Sequence, residues 1–448
     1  MLLPVLLVVA FGLFGLPLFA VLAAIGLIGL HHGGVPLSGG VADVYRLAGP
    51  QAVSLSTIPL FTFAGYLMAS AKTAQRLIRM SEALLGWLPG GLGVMTVLTC
   101  AFFTTFTGAS GVTIVAVGGL LLPALESAGY GRRLSLEVVT GSGAVGLLFP
   151  PSLPLIVYGI VFGLTYGNYD KGGEPLPEFS IERFFFAGIV PGLLLIALLV
   201  GYCIVAGARA RVPRRPLDLR AFAAAAWEAK WELPIPFAII ASLSLGLATI
   251  PESAALTALY VLVVEVFIYK DIDLRRDLVR IARESMTLVG AIFLKIAGAT
   301  ILTAYFVDSG VPQALFEWMG RYVHSQAGFL LVMNVALLLV GCLMDIFSAI
   351  VVVVPLIVPA AATFHLDPYH LGVIFLLNLE IGYLLPPAGL NLFIAAFRFG
   401  RPITELYRAV LPFILLMIVA LAAVTYIPQL TVVPRPRTPD GIRSPAAP

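Results

Sequence analysis

The chain has 448 residues, 60% apolar and 11% charged, with 44 Gly, 32 Pro and a mean hydropathy of +1.00. Soluble domains average roughly 45–50% apolar and about 25% charged residues, so an ordinary water-soluble enzyme is excluded. Lys and Arg number 27 against 24 Asp and Glu, a net charge of +3, too nearly balanced for a nucleic-acid-binding face.

Residues 1–30 are apolar and the first cation is Arg46. A secretory signal needs a basic start and a shorter apolar stretch, so the segment reads as an uncleaved membrane helix. A crossing takes about 20 mostly apolar residues. Runs of that kind lie at 5–30, 53–70, 184–206, 233–250, 255–270, 286–306 and 409–427.

Two stretches differ. The apolar arms 90–106 and 112–124 are separated by TGASG (107–111), and at about 1.5 Å per residue the second arm is too short to cross. This predicts a re-entrant helical hairpin over 90–124, which membranes tolerate only where the exposed backbone is buried or faces a watery cavity. Next, 134–166 is interrupted by Pro150-Pro151-Ser152, whose prolines remove amide donors and stop the helix. The same pattern recurs as a hairpin over 326–361 and a broken helix over 369–398. A constant offset of 236 places Pro123 on Pro359, Gly146 on Gly382 and Pro150-Pro151 on Pro386-Pro387 without a gap.

The predicted fold is therefore an all-α integral membrane protein of two inverted repeats, each with a re-entrant hairpin and a broken transmembrane helix. The repeats span 1–206 and 255–427. Residues 207–254 form a cytoplasmic linker, a surface helix and a connecting helix whose single crossing, at 233–250, inverts the second repeat. Amphipathic segments 71–89 and 307–325, with Trp87 and Trp318, read as arms along the membrane surface. The Pro-rich tail within 428–448 reads as disordered. Nineteen of the 27 cations fall in loops this topology assigns to the cytoplasm and seven on the other side, which places the N-terminus inside and the C-terminus in the periplasm.

Inverted repeats with paired broken helices mark secondary transporters. Helix N-termini present free amides to anions and C-terminal carbonyls attract cations. On that basis Thr107, Gly108, Ala109, Ser110 and Pro150 form one candidate ion cluster. Asp345, which aligns with Ala109, forms the other with Pro386 and Gly389. Ser152 and Asn391 flank the breaks and offer neutral hydrogen bonds to a substrate, with Thr140 and Ser142 as weaker candidates. Asp345 and Glu380 are acids inside apolar segments and Lys295 is a lone cation within a span; such groups face a cavity or a partner. Each also has a structural reading. The Gly/Pro breaks can be packing kinks, Asp345 a cap for local amides, Glu380 a partner of neighbouring backbone, Lys295 the counter-ion of Asp345 or Glu380, and Arg398 an interface anchor. No disulfide framework, structural metal or organic cofactor is expected. An intramembrane enzyme finds no HExxH or GxSxG, and a scaffold leaves the duplicated breaks unexplained.

The segments IPLFTFAG (58–65), TGASGVTIVAVGGLLLPALESAGY (107–130), GLLFPPSLPLIVYG (146–159), GCLMDIFSAIVVVVPLIVP (341–359) and DPYHLGVIFLLNLEIGYLLPPAGLNLF (367–393) resemble the large membrane subunit of tripartite ATP-independent periplasmic (TRAP) transporters, in order over nearly the whole chain. The resemblance implies an elevator-type carrier of the ion-transporter superfamily in the bacterial inner membrane. It implies sodium as coupling ion at the tip residues, and uptake of a small organic anion of the carboxylate class. It also implies two partners beside membrane lipid: a small four-helix membrane subunit and a periplasmic substrate-binding protein, in which selectivity largely resides. The family's tip reads close to GSS, whereas Ala109 here removes one hydroxyl. The helices of the small subunit, fused in some members, are absent. The alternative is a binding-protein-independent anion/cation symporter of the same architecture.

Overall fold

The structure, a computed structural model, describes residues 6–431 apart from 9, 12–14, 47–54, 168–178, 215, 312, 313, 315–320, 322 and 324. Residues 432–448 and much of the second arm, including Trp318, therefore lie outside the described residues, which are helical without a strand. The start of the tail expected to be disordered from 428 is instead a 3-10 helix, Pro428–Thr431, held by a hydrogen bond between Thr431 and His370. In chain order the helices are α1 Leu18–His32, α2 Leu37–Arg46, α3 Thr57–Ser70, α4 Thr73–Leu85, α5 Gly91–Thr107, α6 Ser110–Ala116, α7 Gly118–Ser127, α8 Arg132–Gly141, α9 Leu153–Gly167 and α10 Ile181–Arg209. They continue with α11 Leu219–Glu228, α12 Pro234–Ser244, α13 Ile250–Val263, α14 Asp277–Asp308, α15 Gln326–Leu343, α16 Ile346–Thr363, α17 Pro368–Gly382, α18 Leu390–Phe399, α19 Ile403–Ala409 and α20 Leu411–Tyr426. Five are long and apolar enough to cross a membrane: α10, α13 with its extension to Ile268, α14, α15 and α16.

Four expected segments take a different form. The run read as one helix over 5–30 is interrupted at Gly15–Pro17, and α1 starts only at Leu18. The second arm of the first hairpin is two helices, α6 and α7, bent by 50° around Val117. The carbonyl of Val115 beside the bend accepts a hydrogen bond from Arg398 Nε at 3.0 Å. Both arms of the second hairpin have 18 residues, about 27 Å of helix, and the bent second arm of the first hairpin runs over a stretch of the same length, Ser110 to Ser127, so arm length by itself makes neither hairpin re-entrant. The run expected to cross at 233–250 is regular helix only over 234–244, about 16 Å. A crossing there needs the turns on both sides of it, and Thr249 opens the next helix with a capping box to Glu252.

The first broken helix leaves α geometry before its prolines. After Gly141 the chain continues as a 3-10 helix over Ser142–Leu148, where GSGAVG offers little helix propensity. Thr104 and Thr105 hydroxyls on α5 donate to the carbonyls of Gly143 (2.7 Å) and Gly146 (3.1 Å), so the altered backbone keeps its partners. Gly146 is required by this approach: a Cβ there would lie 2.1 Å from the Ala101 carbonyl oxygen. Its offset mate Gly382 meets α15 in the same way: a Cβ there would lie 2.5 Å from the Gly341 backbone. The Pro150-Pro151 and Pro386-Pro387 peptide bonds are both cis.

Each hairpin is split between the two broken helices. The first arms pack on the leading halves, α5 on the 3-10 segment and α15 on α17, while the second arms cross over, α6 onto α18 and α16 onto α9.

At one end α4, the first arm, is tied down by a buried ion cluster. Arg76, 5% exposed, donates to Glu232 (Nε, 2.9 Å), Glu265 (Nη2, 3.1 Å) and Asp271 (Nη1, 2.6 Å), and its guanidinium lies 3.8 Å from the centre of the Tyr269 ring. Thr73 donates to Glu265 at 3.1 Å. Arg76 thus bolts the arm to the end of the linker and to the end of α13.

Candidate functional site

At the first tip α5 ends at Thr107, and Gly108 turns the chain with φ 60°, the left-handed region that favours glycine. Ala109 is extended and α6 begins at Ser110. A Cβ on Gly108 would fall 2.6 Å from the Leu153 side chain, so the tip rests on the first residue after the first break. Beneath it the Thr104 and Thr113 hydroxyls are hydrogen-bonded at 2.8 Å, Thr104 accepting because its own proton goes to Gly143, and Thr107 lies 3.5 Å from the Thr113 hydroxyl. A short polar core thus holds the two arms together.

At the second tip Asp345 is the N-cap of α16 and accepts from the Ser348 amide at 3.1 Å and from the Ser348 hydroxyl. Lys295 Nζ on α14 donates to both its oxygens at 3.0 and 2.9 Å. The Ile346 amide donates to the Tyr383 hydroxyl, which joins this tip to the second break. The two halves meet where Ser110 Oγ donates to Asn391 Oδ1 at 2.7 Å. Asn391 is fully buried and its Nδ2 has no partner among the described residues.

Both tips open on one cavity of about 1050 Å³, walled by Gly108–Gly111, Asp345–Phe347, Leu390 and Arg398, and by Lys295 and Glu284 of α14. Ligand pockets commonly run to 300–1,000 Å³, so a small organic ion fits with water. The wall is otherwise mostly apolar and its central charges, Lys295 and Asp345, neutralise each other. A charged solute thus meets tip backbone, the Lys295–Asp345 pair and the guanidinium of Arg398, which has no carboxylate partner among the described residues.

The cavity collects Gly108, Ala109, Ser110, Asp345 and Lys295, and through Ser110 it reaches Asn391. Thr107, Pro150, Ser152, Glu380 and Gly389 are buried behind its wall, and Pro386 is exposed. Ser152 Oγ has no hydrogen-bond partner among the described residues. Glu380 is fully buried against the Leu148 backbone of the other broken helix, with no well-formed hydrogen bond. Lys295 is the counter-ion of Asp345, and Asp345 caps local amides, as their structural readings had it. Thr140 and Ser142 are buried with unpartnered hydroxyls. Arg398 supports the bend of the first hairpin and lines the cavity, beyond the anchor role expected for it.

Sequence reasoning passed over Glu284, which sits among loop charges, and Thr104 and Thr113, for which the TTFT run was the available signal. Glu137, buried on α8 beside the Tyr202 side chain, had no signal beyond being an acid in an apolar stretch.

The Lys295–Asp345 contact predicts a measurable coupling. The side chains are 20% and 32% exposed, so the pair is worth about 0.5–1 kcal/mol, and loss of the cap adds about 1 kcal/mol. Lys295→Met and Asp345→Ala should each lower the denaturation midpoint in detergent, and the double variant should lose less than the sum. Strict additivity would mean the pair contributes nothing.

Residues 5–430 match the family described as "Tripartite ATP-independent periplasmic transporter, DctM component". The chain is 34% identical over 386 residues to the C4-dicarboxylate TRAP transporter large permease protein of Rhodobacter capsulatus, covering 86% of this chain and 87% of that one. It is 29% identical over 431 residues to the ectoine TRAP transporter large permease protein of Halomonas elongata, covering 93% and 95%. In fold it is similar to the crystal structure of the YdaH transporter of Alcanivorax borkumensis, with a TM-score of 0.64, 16% identity and coverage of 94% and 97%. Large permeases of this kind work with a small membrane subunit and a periplasmic binding protein. The match over almost the whole chain, on an all-helical frame with bent helix pairs, makes this protein a member of the DctM family, the large membrane permease component of TRAP transporters and not an enzyme.

Proposed function

We propose that the chain carries a small organic anion of the carboxylate class into the bacterial cell, driven by sodium, as the permease of a binding-protein-dependent system. The carrying observation is that two helix-break tips meet at one cavity between the halves of the chain. A carboxylate accepts from the backbone amides opening α6, that of Ser110 among them, while sodium takes tip carbonyls and Asp345. Filling the sodium sites draws the tips together and favours the anion-binding form. Pro150, Pro386 and Gly389 shape the breaks behind the tips, and Ser152, Asn391 and Glu380 order the polar groups next to them.

The 236-residue offset supports two repeats, and the charge asymmetry supports an N-terminus in the cytoplasm and a C-terminus in the periplasm. The elevator reading moves the hairpins and breaks against a frame of α1, α3, α13 and α14. The relatives named for C4-dicarboxylates and for ectoine favour a small carboxylate without choosing one.

The test is uptake by proteoliposomes holding this chain, its small subunit and its binding protein, with and without an inward sodium gradient. The expected result is uptake that needs the gradient and all three components. Transport indifferent to sodium overturns the coupling, and full activity of the chain alone supports a binding-protein-independent symporter. Lys295→Ala should raise the half-saturation constant several-fold with membrane insertion intact; unchanged kinetics would remove Lys295 from the substrate path.

A further inference from the structure

We propose that residues 209–231 form a binding surface for anionic phospholipid headgroups, a site separate from the transport cavity. Helix α10 is an apolar span that ends at Arg209, so the following residues leave the hydrocarbon at headgroup depth. There the chain presents Arg209, Arg211, Arg214 and Arg220, all exposed and without a carboxylate within ion-pair distance among the described residues. Three acids lie beside this stretch, Glu82, Asp218 and Glu228, and two of them are engaged elsewhere. Asp218 accepts from the Arg220 and Ala221 amides at 2.9 Å as the cap of α11, and Glu228 is paired with Arg79 at 3.1 Å.

Helix α11 buries Ala225 against the rest of the protein and turns Leu219, Ala223 and Trp227, spaced four apart on one face, outward. Leu219 is 64% and Trp227 71% exposed, and Lys230 Nζ sits 3.5 Å from the centre of the Trp227 ring. An apolar ridge with an aromatic at its end, flanked by unpaired cations, is the pattern of a helix lying in the membrane interface. Unpaired arginines at that depth attract phosphate, to which the guanidinium donates two parallel hydrogen bonds. A zwitterionic headgroup offers the same phosphate with its charge cancelled, so the charge surplus selects anionic lipid.

Trp87→Phe with Trp318→Phe leaves Trp227 and Trp231 as the only tryptophans. Their fluorescence is read in phosphatidylcholine proteoliposomes carrying equal minor fractions of either brominated phosphatidylglycerol or brominated phosphatidylcholine. The expected result is quenching about twofold stronger or more with the phosphatidylglycerol, shrinking at high salt. Changing Arg211, Arg214 and Arg220 together to Gln should abolish the excess while leaving quenching by brominated phosphatidylcholine in place. Changing the same three to Lys should retain the excess, which separates charge from misfolding. Equal quenching by the two lipids overturns the proposal, as does an excess that survives the Gln changes or is lost in the Lys variant. Quenching by neither lipid overturns it in favour of a surface covered by protein.

Discussion

Arg76→Ala is expected to destabilise the protein by about 3–5 kcal/mol, the range for removing one partner of a buried ion network. The reason is an imbalance that the single guanidinium resolves. Glu232 and Glu265 are fully buried, Asp271 is 6% exposed in its side chain, and all three converge on Arg76. Once Arg76 is gone, the remaining cation is Lys72, 70% exposed, at 3.5 Å from Asp271. Three acids then compete for one solvated ammonium. Arg76→Lys should recover only part of the loss, because a single Nζ cannot span three carboxylates as the planar fork does. Adding Glu265→Gln to Arg76→Ala should restore part of it by removing a charge. The measurement is the thermal or denaturant midpoint of the purified protein in detergent, with the unfolding rate as readout where unfolding is irreversible. A midpoint unchanged by Arg76→Ala would mean that the cluster does not hold the arm.

The second large effect is expected at Gly146. An alanine there would place its Cβ 2.1 Å from the Ala101 carbonyl oxygen and 2.6 Å from the Thr105 amide nitrogen, so α5 and the 3-10 segment must move apart. Separation would also stretch the Thr104 and Thr105 hydrogen bonds that satisfy this backbone. The cost is about 3 kcal/mol or more, at the upper end for overpacking because the obstacle is backbone rather than a flexible side chain. Gly382→Ala should behave alike, with its Cβ 2.5 Å from the Gly341 carbonyl carbon. The control is Gly163→Ala on α9, where nothing lies within 4 Å and the substitution should be neutral or stabilising by about 0.5–1 kcal/mol. Uptake and the detergent midpoint should fall together for Gly146→Ala and Gly382→Ala and hold for Gly163→Ala. Wild-type stability in either of the first two would refute the close helix approach as the reason for the aligned glycines.

The membrane class, both tip-and-break patterns and the family were legible in the chain itself. Their signals are local: backbone freedom at Gly108, missing amide donors at Pro150-Pro151 and Pro386-Pro387, and long apolar runs report on a neighbourhood of a few residues. The offset of 236 was legible too, and the structure shows that its Gly146/Gly382 match marks two equivalent close approaches of helices.

Which partners those features meet was decided only by tertiary structure. Sequence reading set each tip beside its own break, and Gly108 against Leu153 and Ile346 against Tyr383 agree. The crossing of α6 onto α18, which puts Ser110 on Asn391 and Arg398 on Val115, leaves no local trace, because apolar faces pack against any complementary apolar face. Lys295 had two acids to choose from, and only the position of α14 beside the second tip selects Asp345. Arg76 read as one more loop cation, since the three acids that neutralise it lie 156 to 195 residues further along the chain. Helix breaks and apolar length are properties of short segments, whereas charge pairing and cavity walls depend on distances that exist only after the segments have packed.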